Sequence, residues 1–110
     1  MAQPYQPQLH ERLIMAFDDI VSLLGAMGTP SRLRILIALL DTPQTYQALK
    51  FVTKLKKSAL SSHLVILRDR GLIQKLGHGI YELTEIGQSY LWLLGQFIER
   101  RWWLPTRQSA

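Results

Sequence analysis

The sequence predicts a mainly α-helical domain that carries one small β-hairpin. Apolar residues recur at every third or fourth position through most of the chain, which is the period of an amphipathic helix. In residues 72–84 this period is lost, and two short runs flank a Gly-His-Gly sequence that suits a hairpin turn. The helical segments 45–52 and 57–69 are separated by only a few residues, as in a helix-turn-helix.

The composition indicates one folded unit with a basic surface. At 110 residues the chain is long enough for one domain and too short for two. Hydrophobic residues make up 47% and charged residues 19%, which excludes disorder and leaves more apolar surface than a small core needs. A formal net charge of +5 favours nucleic acid or an acidic membrane surface as a partner. Many basic proteins, however, carry such a charge only for solubility.

The sequence lacks residues or segments that several classes of protein need. The sequence contains no cysteine, so it has no disulfide framework, no thiolate metal site and no cysteine nucleophile. Its beginning has no basic region followed by an apolar run, which a secretory signal requires. No uninterrupted apolar stretch approaches the roughly 20 residues of a membrane span. We therefore expect a soluble, cytoplasmic protein without a membrane partner.

Five helices and the hairpin are predicted to form one domain over residues 9–104. A flexible arm (1–8) and a short tail (105–110) flank this domain. The arm contains two prolines and three glutamines, which neither continue a helix nor build a core. The first helix is predicted over residues 9–27 and the last over 84–103, each with a wide apolar side.

Local signals indicate where the helices begin and end. Gly28 ends the first helix, and Thr29-Pro30 begins the second, because threonine caps free amides and proline fits the first helical turn. The second helix, SRLRILIALL, is apolar on nearly every side and is therefore predicted to be the central core element. Thr84 is expected to cap the last helix. The side chains of the third helix predicted to face inward are Tyr46, Leu49 and Val52.

The stretch KKSALSSHLVILRDRGLI, residues 56–73, has two different faces. The arc predicted to dock against the domain contains Leu60, His63, Leu64, Ile66 and Leu67. The opposite arc contains Lys57, Ser58, Ser61, Ser62, Val65 and Arg68. Serines are small enough to let a helix approach base edges, and the lysines at its start suit phosphates. A solvated helix face is the alternative, but the position between a tight turn and a hairpin favours DNA binding.

Residues 29–91 resemble the winged helix-turn-helix transcriptional regulators of the ArsR and MarR type. The resemblance lies chiefly in SRLRILIALL, in SSHLVILRDRGLI and in YELTEIG. It implies a dimeric DNA-binding regulator, with residues 57–69 in the major groove and the 75–81 hairpin as a wing against the backbone or minor groove. The chain departs from the family pattern at Lys54 and Lys56, where glycine and a Ser or Thr cap are common. It also has Ser62 and Val65 where Arg or Lys is frequent.

Direct reading of bases is expected to be modest. The central face of the recognition helix lacks the Arg, Asn and Gln side chains that make bidentate base contacts, each of which contributes about 1–3 kcal/mol. Most of the affinity is therefore expected from phosphates, and part of the selectivity from groove shape. The residues expected to contact DNA are Thr45, Lys54, Lys56, Lys57, Ser58, Ser61, Ser62, Arg68, Lys75 and His78.

The first and last helices are expected to form a homodimer interface. Each has an apolar arc over about half of its circumference, more than the middle helices can cover. A two-fold interface would place two recognition helices about 34 Å apart on one side of the duplex. A single-chain bundle that buries all of this surface is the alternative. The residues expected in the interface are Leu9, Leu13, Phe17, Ile20, Leu24, Tyr90, Leu94, Phe97, Ile98 and Trp102.

The sequence offers no constellation for catalysis or metal binding. Its three histidines, His10, His63 and His78, lie on different elements, and His63 belongs to the docking arc, which suits a structural role rather than that of a base. Neither an enzyme activity nor a cofactor or metal is therefore expected. The leading hypothesis is a homodimeric repressor, with a small-molecule effector left open. A winged-helix module that binds another protein is the alternative.

Overall fold

The computed structural model describes the backbone of residues 8–100 and the side chains of residues 8–99. Within this range the chain forms six helices and three short strands. The helices are α1 (Leu9–Met15), α2 (Phe17–Met27), α3 (Pro30–Ala38), α4 (Tyr46–Thr53), α5 (Lys57–Asp69) and α6 (Glu85–Arg100), and the strands are β1 (Gln44–Thr45), β2 (Ile73–Lys75) and β3 (Ile80–Leu83). The strands form an antiparallel sheet in the order β1-β3-β2. The predicted class, mainly α with a hairpin, is confirmed.

The prediction of one continuous helix over residues 9–27 is wrong, because the helix breaks at Ala16. The backbone of Ala16 has φ −97° and ψ 13°, outside the helical region, and α2 begins after it. None of the seven residues of α1 is buried. All seven residues of α1 are exposed, so burial in the described protomer contributes little to hold it in line with α2, and the unbroken apolar period could not reveal this.

α3 is the central element of the core, as predicted. It lies against α2, α4, α5 and α6, and its Ile35 and Leu36 are fully buried. The end of the predicted segment is less covered than the sequence suggested, since Ile37 is 56% exposed and Leu40, which follows the helix, is 48% exposed. The predicted Thr29 cap is confirmed, because the hydroxyl of Thr29 accepts a hydrogen bond from the Arg32 N–H at 3.3 Å.

Among the described residues, no single helix is long and apolar enough to cross a membrane. The two helices α2 and α3, which meet at 80°, reach the required length and hydropathy only when they are counted together.

β1 was not predicted, and one side chain of α4 was placed wrongly. β1 has only two residues, too few to show an alternating pattern, and it pairs with Ile80 and Tyr81 of the predicted hairpin. In α4, Leu49 is buried and Tyr46 half-buried as expected, but Val52 is 47% exposed. Apolar residues at every third position therefore predict a wider buried side than this short helix has.

The last helix begins as predicted, with Thr84 as its cap. The Thr84 hydroxyl accepts from the Gly87 N–H at 3.1 Å and donates to the carbonyl of Gly71. Gly87 comes so close to the segment between α5 and β2 that a Cβ atom there would overlap the carbonyl oxygen of Leu72. Residues 101–103 of the predicted helix, including Trp102, lie outside the described residues, as do residues 1–7 of the arm and the tail.

His63 attaches α5 to the rest of the domain through Arg32. The guanidinium of Arg32 donates to the carbonyls of Ala26 (2.7 Å) and Gly25 (3.2 Å) at the end of α2, and its third nitrogen lies 3.2 Å from His63 Nδ1. Arginine has no acceptor, so His63 Nδ1 must be unprotonated in this contact. Partial burial lowers the pKa of His63, and the Arg32 charge lowers it further. His63 is thus a structural residue, as predicted.

Replacing Gly87 with alanine should destabilise the fold, whereas the same change at Gly95 should not. Gly87→Ala forces a methyl group into the Leu72 carbonyl, and we expect a loss of about 1–3 kcal/mol in the free energy of unfolding. Gly95, in the same helix, has no neighbouring atom within 4 Å of the place that a Cβ would occupy, so alanine should stabilise by about 0.5–1 kcal/mol. Urea unfolding of the two variants measures this difference. Equal stabilities would contradict the close approach at Gly87.

The free energy of unfolding should fall as the pH is lowered below about 6.5. The unfolded chain binds a proton at His63 near pH 6.5, whereas the folded chain does so only at lower pH. Between these two values the unfolded state holds more protons, so acid favours unfolding, and the loss ends below the folded pKa. His63→Asn keeps an acceptor for Arg32 but does not titrate. Urea unfolding at a series of pH values should show a weaker pH dependence for this variant, and identical profiles would contradict the assignment.

Candidate nucleic-acid interface

α4 and α5 form the helix-turn-helix, and the turn between them contains an unusual lysine. Lys54 ends α4 with φ 59° and ψ 25°, in the left-handed region, and its N–H donates to the Lys50 carbonyl at 2.9 Å. It is the only non-glycine residue with positive φ among those described. Glycine would take this conformation without the cost of about 1–2 kcal/mol that a side chain brings. The Lys54 side chain itself is exposed.

α5 is attached on one side and exposed on the other. Its buried residues are Leu60, Leu64 and Leu67, each at most 2% exposed, and His63 and Ile66 are half-buried beside them. We call the opposite, exposed side the α5 surface; it consists of Lys56, Lys57, Ser58, Ser61, Ser62, Val65 and Arg68. The two arcs expected from the sequence are therefore present in the structure.

The N-terminus of α5 combines free backbone donors with cations. Lys56 occupies the cap position in an extended conformation, and no side chain of the described residues caps the helix there. The first-turn N–H groups of α5 thus keep their capacity to donate, in addition to the positive end of the helix dipole. With the Lys56 and Lys57 side chains nearby, this end of α5 is suited to an anion such as a phosphate.

Tyr46 connects the first turn of α4 to α5, a role that sequence reasoning missed. Its hydroxyl oxygen lies 2.8 Å from the carbonyl oxygen of Lys57 and 2.9 Å from the hydroxyl oxygen of Ser61. The ring is half-buried against the core, and the polar tip reaches the α5 surface. The apolar body and polar tip of tyrosine were the available signal, but the spacing of three assigned the residue only to the core.

Thr45 lies at the start of α4, where its hydroxyl oxygen accepts from the Ala48 N–H at 3.0 Å. Its O–H remains able to donate, and the residue is exposed. Thr45 also belongs to β1, which pairs with β3 of the hairpin. The start of α4 and the wing are therefore connected through the sheet.

The hairpin between β2 and β3 presents the two other predicted residues, Lys75 and His78, and both are exposed. Gly77 (φ 57°) and Gly79 (φ 73°) flank His78 and supply the positive φ values that the turn needs. The ammonium of Lys75 lies 5.9 Å from the centroid of the Tyr81 ring, within the range of a cation–π contact. Arg68 of α5 and Lys75 line one shallow cleft together, so the wing continues the α5 surface.

The predicted interface helices leave most of their apolar side chains exposed. Exposed fractions lie between 41% and 65% for Leu9, Leu13, Phe17, Leu24, Leu94, Phe97 and Ile98. Ile20 and Tyr90 are half-buried. Trp92 (63% exposed), Ile98 and Leu40, which follows α3, line an open apolar groove beside α6. Among the described residues, no three His, Cys, Asp or Glu side chains come together as metal ligands.

Comparison with known proteins supports one family. The family model described as bacterial regulatory protein, arsR family, matches residues 29–75. NolR from Sinorhizobium fredii is 31% identical, with a TM-score of 0.67, covering 89% of this chain and 95% of that chain. HlyU from Vibrio cholerae is 33% identical, with a TM-score of 0.65, covering 74% and 92%. A search of curated proteins gave no significant match.

A third structure shares the fold at lower identity. Mb0332 from Mycobacterium bovis, described as a homodimeric winged helix-turn-helix DNA-binding domain, is 21% identical with a TM-score of 0.67, covering 92% of both chains. Identity above 30% over nearly the whole of NolR, together with the family match across α3, α4 and α5, establishes the assignment. The chain belongs to the arsR family of bacterial regulatory proteins, which are DNA-binding transcriptional regulators with a winged helix-turn-helix fold.

Proposed function

We propose that this protein is a homodimeric repressor that binds a pseudo-palindromic site in double-stranded DNA, with α5 in the major groove. The observation that carries the proposal is the division of α5 into two sides. Leu60, Leu64 and Leu67 are buried on one side, with His63 and Ile66 half-buried beside them, and the α5 surface opposite presents cations and hydroxyls to solvent. A helix attached in this way can enter a groove without losing its own packing.

The exposed residues divide into phosphate and base contacts by their chemistry. Lys54, Lys56, Lys57 and Arg68 lie at or near the two ends of α5, where a helix in the major groove meets the DNA backbone. Ser58, Ser61 and Ser62 lie on the part of α5 that would face base edges, where hydroxyls contact donors or acceptors. Thr45 and the wing residues Lys75 and His78 would contact the backbone or the minor groove beside it.

Specificity is expected to come largely from the shape of the DNA. The α5 surface has no Asn or Gln, and its one arginine, Arg68, lies in the last turn of the helix. Three serines provide few strong base contacts, so we expect phosphate contacts to supply much of the affinity and the deformability of the site much of the selectivity.

Exposed apolar surface on α1, α2 and α6 supports a dimer. The side chains proposed for the interface are Leu9, Leu13, Phe17, Ile20, Leu24, Tyr90, Leu94, Phe97 and Ile98, and we include Trp102 from beyond the described residues. An isolated protomer would leave this surface in water, and α1 would have no buried residue at all. The homodimeric state of Mb0332, which has the same fold, agrees with this arrangement.

Repression follows most simply from occupancy. A dimer bound across two half-sites about 34 Å apart covers one face of the duplex and would block a polymerase there. The proposal needs neither a cofactor nor a metal, and it places the protein in the cytoplasm, where bacterial DNA lies.

Neutralising Lys57 and Lys75 together should weaken DNA binding and its dependence on salt. We expect Lys57→Gln with Lys75→Gln to lower the affinity by about tenfold or more, because two phosphate contacts disappear in each subunit, four in the dimer. The slope of log K against log salt concentration should decrease in magnitude by about 3–4, because the slope changes by about 0.9 for each phosphate contact. Fluorescence anisotropy with a duplex selected by the wild-type protein from a random pool gives both quantities. Arg12→Gln with Arg34→Gln, two exposed residues outside the α5 surface, is the control with the same change in net charge. Equal losses in both pairs would contradict the proposed surface.

Introducing a charge at Leu24 should dissociate the dimer. Leu24 is 65% exposed in the protomer, so Leu24→Glu leaves the core intact but would bury an unpaired carboxylate at the proposed interface. We expect the dissociation constant of the dimer to rise by at least about tenfold, measured by sedimentation equilibrium. Phe51→Glu is the matched control, since Phe51 is 81% exposed on α4, away from the interface helices. A monomeric wild-type protein would refute the dimer.

A further inference from the structure

The contact between Tyr46 and the α5 surface leaves one arrangement of protons. The Tyr46 hydroxyl oxygen lies 2.8 Å from the Lys57 carbonyl oxygen, which has no proton to give. Two oxygens at this distance attract each other only when a proton lies between them, so Tyr46 donates to Lys57. The Tyr46 proton is therefore committed to the backbone of α5.

The second contact of Tyr46 then fixes the proton of Ser61. The Ser61 hydroxyl oxygen lies 2.9 Å from the Tyr46 hydroxyl oxygen. Since Tyr46 has already donated its only proton, Ser61 must donate in this pair. The remaining capacity of the Ser61 oxygen is its lone pairs, which can only accept a hydrogen bond.

This restriction matters because a free serine does not discriminate between bases. A hydroxyl that rotates freely can donate to guanine or thymine and accept from adenine or cytosine. A hydroxyl held as an acceptor can bond only to an amino group. In the major groove the amino groups are N6 of adenine and N4 of cytosine, whereas guanine and thymine present acceptors at the equivalent places.

We propose that Tyr46 is a specificity-determining residue, which holds the Ser61 hydroxyl as an acceptor so that Ser61 selects adenine or cytosine over guanine or thymine on the strand it faces. The inference rests on the proposed function, in that α5 must enter the major groove. Tyr46 itself touches no base in this account. It is a positioning residue, half-buried at the start of α4, and it acts through the orientation of one hydroxyl.

The test compares base preference in three variants. Duplexes selected by the wild-type protein are changed to each of the four bases at every position, and affinities are measured by fluorescence anisotropy. Ser61→Ala identifies the position read by Ser61, where the wild-type protein should prefer adenine or cytosine by about fivefold, the effect of one hydrogen bond. Tyr46→Phe keeps the half-buried ring and removes only the hydroxyl. It should abolish that preference at that position and leave the others unchanged.

Ser62→Ala is the matched control, because Ser62 is the adjacent exposed hydroxyl on α5. It should leave the preference at the Ser61 position intact. Thermal unfolding of each variant establishes that the fold persists.

The outcomes test the proposed function and the inference about Tyr46 separately. A wild-type protein that binds no duplex refutes the proposed function. Specific binding in which Ser61→Ala changes no position, or changes one that prefers guanine or thymine, overturns the inference alone. So does a Tyr46→Phe variant that keeps the preference at the Ser61 position. A uniform loss at all positions in Tyr46→Phe would also overturn it, since Tyr46 would then act only by docking α5.

Discussion

The attachment of α5 by a narrow stripe of leucines determines what the rest of the domain can do. Leu60, Leu64 and Leu67 are at most 2% exposed, and burial of each side chain contributes about 1.5–3 kcal/mol. Their sum is of the same order as the net stability of a small domain. Apart from the contacts of Tyr46 with Ser61 and with the Lys57 carbonyl, the other side of the helix is exposed, so its charges and hydrogen-bonding groups are available to a ligand. The hairpin and α3 provide the surface into which the stripe packs.

Features with a strong local signal could be predicted from the sequence. Thr29 and Thr84 each precede a helix, and in the structure each hydroxyl accepts from a backbone N–H of the first turn. The two faces of α5 also follow from the sequence, because the helical period separates leucines from serines over thirteen residues, Lys57–Asp69. Such signals involve residues within one or two turns, so they need no knowledge of the tertiary structure.

Features that depend on a distant partner could not be predicted. The helix breaks at Ala16 although the apolar period continues through it. This break could not be predicted because the periodicity does not show how much of α1 is buried. β1 exists only because β3 offers it hydrogen bonds. The same limit applies to the candidate site. Its cations and serines could be identified from the sequence. The contact of Tyr46 with Ser61, however, joins residues from two helices whose relative rotation no local pattern specifies.

Arg32 connects the end of α2 to α5. Its planar guanidinium joins the carbonyl oxygens of Gly25 and Ala26, at the end of α2, to the His63 ring of α5. A planar group without internal rotation permits little sliding between the helices it joins. In the proposed dimer, α2 lies at the subunit boundary and α5 in the groove. Within each subunit, Arg32 therefore connects the dimer interface to the DNA-binding helix. A site with one extra base pair between its halves, about 3.4 Å, would place the second half-site out of phase, so the DNA would have to be underwound and compressed for both recognition helices to bind.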